Sequence, residues 1–154
     1  MVDTQNILVL CEGNHCRSPI AEALLRHHLG AQFRVESAGL QAPEGVPAHR
    51  EALRIMAARG LDISSHVSRQ VTPEMALNAH LILVMDQFQV DWCTALVPSA
   101  RGRIFLLGHW QTPAPLEIVD PFMRGPEAFL LAYEAIAQCV VAWLPHLNSK
   151  QRSA

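Results

Sequence analysis

The sequence lacks the features that mark membrane, secreted or low-complexity proteins. No uninterrupted apolar run approaches the roughly 18 residues of a membrane span, and no signal sequence precedes Ile7. No internal repeat or linker divides the 154 residues, of which 50% are hydrophobic and 17% charged. We therefore expect a single domain over residues 1–154, cytoplasmic and without membrane insertion.

The charge and the cysteines exclude further classes of protein. The formal net charge is −2, and the 12 lysines and arginines are scattered along the chain, so no nucleic acid is expected as a partner. The 4 cysteines favour free thiols over a disulfide framework in a cytosolic chain of this length. No Cys/His spacing is typical of a closed zinc site, and we expect no metal and no cofactor.

Apolar runs and helical patterns alternate along the chain. Strands are predicted at 6–10, 33–36, 81–85 and 103–107, and helices at 20–29, 48–59, briefly after Asp86, and from Pro126 to Pro145, with a loop opening at Ser37. This alternation predicts an α/β three-layer sandwich with a four-stranded parallel sheet in the order 2-1-3-4 and helices on both faces. Ligands of such sheets bind beyond the carboxyl ends of the strands.

A cysteine and an arginine, with five residues between them, lie at the junction between the first strand and its helix. Backbone N–H groups and the helix dipole make such a junction favourable for an anion or a thiolate. Arg17 can hold two phosphate oxygens at once, and Gly13 and Asn14 tolerate the left-handed backbone of a closed loop. The spacing alone is not specific, but this context predicts a nucleophile, Cys11, beside an oxyanion site, with Ser18 donating to the sulfur.

This arrangement predicts phosphoryl transfer to sulfur. Cys11 as a thiolate would attack phosphorus in line and form a phosphocysteine. The candidate phosphate-binding residues are Glu12, Gly13, Asn14, His15, Cys16, Arg17 and Ser18. A carboxylic acid would protonate the leaving group and then activate water, so no metal is required.

Asp120 is the best candidate for this acid. It lies in the long loop 108–125 and precedes Pro121, which favours an extended backbone there. Asp86 follows the third strand at the same edge of the sheet and is the reserve candidate. Glu12 is closer to the nucleophile, but its carboxylate would repel the substrate, so we expect its side chain to point outward.

Residues 11–23, CEGNHCRSPIAEA, closely resemble the signature of the low-molecular-weight protein tyrosine phosphatases of bacteria. The likeness continues through 36–39, 62–70, 84–86 and 120–122, and so covers nearly the whole chain. It implies hydrolysis of phosphotyrosine with Asp120 as the general acid and base. It also implies that Ser37 and His66, with Asn14 and Ser18, support the phosphate loop. A tyrosine-phosphorylated protein is the implied partner, with a bacterial tyrosine kinase as one candidate, and the oligomeric state stays open.

Three residues depart from the family pattern. Glu12 stands where an apolar or small residue is common, His15 where Ile, Val, Ser or Thr is common, and Met123 where a second aromatic residue often follows. These departures leave the preferred leaving group open. Trp110 and Phe122 flank the loop that carries Asp120 and are candidates for contact with the substrate.

Alternative functions follow from the same residues. A protein-arginine phosphatase is the nearest, although His15 replaces the Thr expected there. A thioredoxin-coupled arsenate reductase needs a further cysteine pair, whereas residues 80–97 contain only Cys93. A phosphate-binding regulatory module is the non-enzymatic alternative. Cys16 is either a small hydrophobic residue or a resolving thiol that protects Cys11 by a reversible disulfide.

Overall fold

The computed structural model describes the backbone of residues 4–152 and the side chains of residues 4–147. Its strands are β1 (Gln5–Cys11), β2 (Phe33–Gly39), β3 (Leu81–Val84) and β4 (Ile104–Leu106). Its α-helices are α1 (Arg17–His28), α2 (Arg50–Ala58), α3 (Pro73–Asn78), α4 (Gln87–Leu96) and α5 (Pro126–Arg152), with a 3₁₀ helix at Pro98–Arg103. The strands form one parallel sheet in the order β2-β1-β3-β4, which confirms the predicted fold.

The central strand β1 is buried on both faces of the sheet. Ile7 and Val9 belong to the core on the side of α1, α2 and α5. Leu8 and Leu10 belong to the core on the side of α3, α4 and the 3₁₀ helix. Successive side chains of a strand point to opposite faces, and an uninterrupted apolar run is typical of a parallel strand covered by helices on both sides. This strand therefore holds Cys11 in a rigid position at its carboxyl end.

Some element bounds differ from the predicted ones. β2 continues to Gly39, where a loop was expected from Ser37, because residues 37–39 pair with residues 9–11 of β1. The short helix α3 was not predicted, and it begins after Thr72, whose hydroxyl accepts a hydrogen bond from the backbone N–H of Met75. The hydrophobic pattern records neither the pairing between the two strands nor the cap at Thr72.

The predicted end of the last helix at Pro145 is wrong, because α5 continues through this proline to Arg152. The carbonyl that loses its hydrogen bond to a proline lies four residues earlier, at Val141, whose side chain is 55% exposed. Because this side of the helix faces solvent, water can satisfy that carbonyl.

The opposite face of α5 is apolar, as predicted. By length and composition alone, its segment Pro126–Leu147 would suffice to cross a membrane, although Glu127 and Glu134 interrupt the apolar run. Its predicted stripe is buried and comprises Phe129, Ala132, Ile136, Cys139, Val140 and Trp143. Packing against the sheet accounts for this apolar character.

Gly39 allows the loop after β1 to lie directly against the end of β2. A Cβ atom at this position would lie 2.7 Å from the carbonyl oxygen of Glu12 and 3.0 Å from the backbone nitrogen of Asn14. Both neighbours are backbone atoms, so neither can rotate away. Pairing of Gly39 with Cys11 thus brings the two loops at this edge together.

We predict that Gly39→Ala destabilises the fold by about 1–3 kcal/mol, because the added methyl group overpacks the loop. Thermal unfolding measures the effect. Gly102→Ala is the matched control, because a Cβ there meets nothing within 4 Å. Equal melting temperatures for the two variants would contradict this account of the contact.

Candidate active site

The nucleophile candidate, Cys11, lies at the tip of β1 with two hydrogen-bond donors beside its sulfur. Its side chain is 2% exposed. Sγ lies 3.0 Å from the hydroxyl oxygen of Ser18 and 3.4 Å from the backbone nitrogen of Ser18 in the first turn of α1. Donors at a helix N-terminus stabilise negative charge on sulfur. Both groups of Ser18 are therefore placed to stabilise negative charge on the sulfur.

Asn14 closes the loop in a left-handed conformation, with φ 56°. Its side-chain amide donates to the hydroxyl groups of Ser18 at 2.8 Å and Ser37 at 3.0 Å. Its Oδ1 accepts the backbone N–H of Arg69 at 3.0 Å, and its carbonyl oxygen lies 2.7 Å from Nε2 of His66. The structure thus brings together the four residues expected to support the loop, and the network holds a backbone conformation that would otherwise be strained.

Sequence reasoning missed two members of this network, Glu22 and Arg69. The hydroxyl of Ser37 donates to Oε1 of Glu22, which also lies 3.9 Å from Nδ1 of His66. Nε of Arg69 donates to the carbonyl of Ser37 at 3.0 Å. Both residues fall within the stretches 11–23 and 62–70 that carry the family resemblance. That resemblance was the one available signal for them.

Arg17 is buried at the floor of the site, with its side chain 4% exposed. Nη1 donates to the carbonyl of Ile118 at 2.7 Å, and Nη2 lies 3.5 Å from Oδ2 of Asp120. Nε is buried, and no partner for it is found among the described residues. A buried unpaired donor is costly, so this N–H is suited to an oxygen atom of a bound phosphoryl group.

The loop that carries Asp120 is held in place by Ile118. The backbone N–H of this residue donates to the carbonyl of Met85 at 2.9 Å, and its carbonyl accepts from Arg17. Asp120 itself is 44% exposed, and its Oδ1 accepts the backbone N–H of Phe122 at 3.1 Å. The predicted acid therefore lies beside the predicted phosphate clamp, with Oδ2 directed toward it.

These residues surround a cavity of about 200 Å³, called here the phosphate pocket. Its lining comprises Cys11, Glu12, Gly13, His15, Cys16, Arg17, Gln41, Pro43, Asp120 and Phe122. His15 meets Phe122 edge to face, with ring centroids 5.2 Å apart and ring planes at 90°. The lining of the phosphate pocket therefore includes a phenyl ring and an imidazole ring that contact each other.

The other candidates lie elsewhere. Trp110 stacks on His146, with ring centroids 3.5 Å apart, and does not line the phosphate pocket. Asp86 caps α4 by accepting the backbone N–H of Gln89 at 2.9 Å, so the reserve carboxylate has a structural role. Met123 is 87% exposed, with φ 63°.

Two titratable groups of the pocket are shifted toward their neutral forms. Burial, with a smaller contribution from His49, lowers the pKa of His15, which favours the uncharged imidazole. Burial, followed by the charge of Cys11, raises the pKa of Cys16 to about 12. Cys16 is a free thiol, and a protonated thiol attacks slowly. Its disulfide with Cys11 stays a prediction.

Within residues 4–147, no group of three or more His, Cys, Asp or Glu side chains is placed to hold a metal ion. Positive charge in the phosphate pocket comes instead from Arg17. The loop after β1 and the start of α1 add backbone N–H groups, which bind anions at helix N-termini.

Comparison with known proteins gives a consistent result. A family model for low molecular weight phosphotyrosine protein phosphatases matches residues 6–153. The protein-tyrosine-phosphatase Wzb of Escherichia coli K12 is 37% identical over 147 residues, which covers 95% of this chain and 97% of Wzb. The solved structure of the tyrosine phosphatase AmsI of Erwinia amylovora has a TM-score of 0.87 at 35% identity and covers 93% of each chain. The arginine phosphatase YwlE of Geobacillus stearothermophilus has a TM-score of 0.90 at 29% identity, covering 97% of this chain and 96% of that one.

We predict that iodoacetamide at neutral pH alkylates Cys11 and spares Cys16. Cys11 has donors beside its sulfur, whereas Cys16, with its pKa raised to about 12, keeps its proton until the pH approaches that value. Mass spectrometry of the alkylated peptides measures both sites, and inorganic phosphate should slow the reaction of Cys11. Equal alkylation of the two residues at neutral pH would refute this assignment.

Proposed function

The chain belongs to the low molecular weight phosphotyrosine protein phosphatases, and we propose that it hydrolyses phosphotyrosine through a phosphocysteine on Cys11. The observation that carries this mechanism is the convergence of Cys11, Arg17 and Asp120 on one phosphate pocket. A nucleophile, a cation for the phosphoryl oxygens and a proton donor are the parts that a two-step displacement on phosphorus needs.

In the first step the Cys11 thiolate forms a bond to phosphorus while the bond to the tyrosine oxygen breaks. Arg17 and the backbone N–H groups of the loop hold the three equatorial oxygens as their charge changes. Asp120, protonated at this stage, gives its proton to the leaving phenolate. The dephosphorylated protein then departs and leaves phosphocysteine.

In the second step water displaces sulfur from phosphorus. Asp120, now a carboxylate, takes a proton from the attacking water, and Cys11 leaves as a thiolate that the Ser18 donors stabilise. The products are inorganic phosphate and the free enzyme with its acid again protonated. Each step is balanced by groups of this chain, so the proposed mechanism needs no metal.

The walls of the pocket support an aromatic leaving group. Phe122 is 45% exposed at the entrance, and His15 lies against it as a neutral ring. Flat apolar rings pack well against such surfaces. Phosphoarginine, whose leaving group is the guanidine of arginine, is the second candidate substrate. The observation that favours it is the high structural similarity to YwlE.

Two other functions have less support. An arsenate reductase of the thioredoxin-coupled type passes a disulfide outward on a mobile segment, whereas Cys93 is fully buried in α4. A regulatory module without catalysis would have no need for Asp120 beside Arg17. We propose a tyrosine-phosphorylated protein in the cytoplasm as the substrate, with a bacterial tyrosine kinase as one candidate.

We predict that the protein hydrolyses phosphotyrosine peptides faster than matched phosphoserine and phosphoarginine peptides, with no loss of activity in EDTA. Release of phosphate measures each rate. Cys11→Ser should abolish turnover, because a neutral hydroxyl at this position is a poor nucleophile. Faster turnover of phosphoarginine would favour the second candidate, and full activity of Cys11→Ser would exclude the phosphocysteine.

We predict that Asp120→Ala slows hydrolysis of esters with poor leaving groups by about 10²–10⁴-fold and slows p-nitrophenyl phosphate much less. A good leaving group departs without a proton, so the effect should grow with the pKa of the alcohol. Asp86→Asn is the comparison, because that residue caps α4. A loss independent of the leaving group in Asp120→Ala would remove this residue as the acid.

A further inference from the structure

A second pocket, of about 250 Å³, adjoins the phosphate pocket. We call it the flanking pocket. Glu12, Arg17 and Asp120 line both cavities, and Asp86, Glu117 and the exposed ring of Phe88 form much of the remaining wall. Arg17 is buried and has an unpaired Nε that is suited to the phosphoryl group. A substrate with its phosphate on Arg17 therefore has its neighbouring groups within reach of the flanking pocket.

The flanking pocket has an excess of negative charge. Four carboxylates line it, and Arg17 is the one arginine or lysine among its lining residues. Asp86 uses Oδ1 for the backbone N–H of Gln89, and Glu117 uses Oε2 for the backbone N–H of Gln87 at 2.8 Å. Among the side chains and backbone of residues 4–147, no hydrogen bond to the second oxygen of either carboxylate is found.

Glu12 lines both pockets, and the proposed phosphate chemistry gives its carboxylate no role. Within the described part of the chain, its carboxylate makes no hydrogen bond or ion pair, and its backbone belongs to the loop that binds phosphate. A carboxylate at this position repels an approaching phosphate dianion. By itself it would weaken substrate binding. A positive charge that arrives on the same substrate would turn this cost into an attraction.

The rim of the flanking pocket is apolar. Phe88 is 68% exposed and Val119 is 64% exposed. Lysine and arginine combine an aliphatic stem with a charged end, and their cations also bind well over aromatic faces. A pocket with four carboxylates in its lining and an apolar rim therefore matches a basic side chain of a polypeptide.

We propose that Glu12, together with Asp86 and Glu117, selects phosphoproteins that carry a lysine or arginine close in sequence to the phosphotyrosine. This inference rests on the proposed function and names the substrate class of the same site. The substrate brings its phosphate to Arg17 and its cation to the flanking pocket. Isolated phosphate monoesters gain nothing from the second contact and are repelled by Glu12.

The test uses sets of phosphotyrosine peptides. The three peptides of a set differ at one position near the phosphotyrosine, which is Arg, Gln or Glu. One set is made for each neighbouring position. The full chain should hydrolyse the best Arg peptide with a kcat/KM roughly fivefold above that of its Gln partner, which is the scale of one exposed ion pair. The Glu partner should be slower still. High salt should reduce these ratios, because it screens exposed charges.

Substitutions then assign the preference to the pocket. In the double variant Glu12→Gln, Glu117→Gln the ratio between Arg and Gln peptides should fall toward one, because Asp86 is then the one carboxylate left of the three proposed. Glu12→Lys should favour the Glu peptide. Glu134→Gln is the matched control, because this exposed glutamate of α5 lies outside both pockets. Each ratio is measured within one variant, so a general loss of activity cancels.

Two results would overturn the inference. One is equal hydrolysis of the Arg, Gln and Glu peptides by the unmodified chain, and the other is a preference for Arg that is undiminished in the double variant. Failure on every phosphotyrosine peptide, with or without a basic neighbour, would instead overturn the proposed function. The two proposals are therefore tested separately.

Discussion

The left-handed backbone of Asn14 is the constraint on which the site depends. A residue other than glycine pays a steric cost in this conformation. The hydrogen bonds that the Asn14 side chain donates to Ser18 and Ser37 and accepts from the backbone N–H of Arg69 offset it. Because the loop is held by side chains from α1, β2 and the segment before α3, its N–H groups do not need a ligand to keep their arrangement. A site organised before the substrate binds loses little free energy in reorganisation.

Burial of Arg17 couples the phosphate loop to the acid loop. A buried guanidinium needs acceptors for its donors, and two of them, the carbonyl of Ile118 and the carboxylate of Asp120, belong to the loop after β4. The same Ile118 is anchored to the end of β3 through Met85. The proposed phosphate clamp, Arg17, and the proposed proton donor, Asp120, are thus positioned by one set of contacts, although they are far apart in sequence.

Two residues that depart from the family pattern, Glu12 and His15, belong to the phosphate loop, and their side chains line its pocket. His15 contributes a neutral ring to the wall of the phosphate pocket opposite Phe122. Glu12 lies between that pocket and its acidic neighbour. In the proposed reaction the phosphorus chemistry depends on the loop backbone, Cys11 and Arg17, whereas the proposed choice of substrate depends on the side chains of His15 and Glu12.

The sequence by itself determined the alternation of strands and helices and the position of Cys11 at the end of the first strand, because these follow from local periodicity and helix starts. It also determined the candidate catalytic residues Cys11, Arg17 and Asp120, because the loop context and a family resemblance indicate them. Only the tertiary structure decided the places of Glu22 and Arg69, the capping role of Asp86 and the flanking pocket. The contact between Arg69 and Asn14 spans 55 positions, and the one between Arg17 and Ile118 spans 101. Contacts at such separations arise from packing of the whole sheet, which no local pattern records.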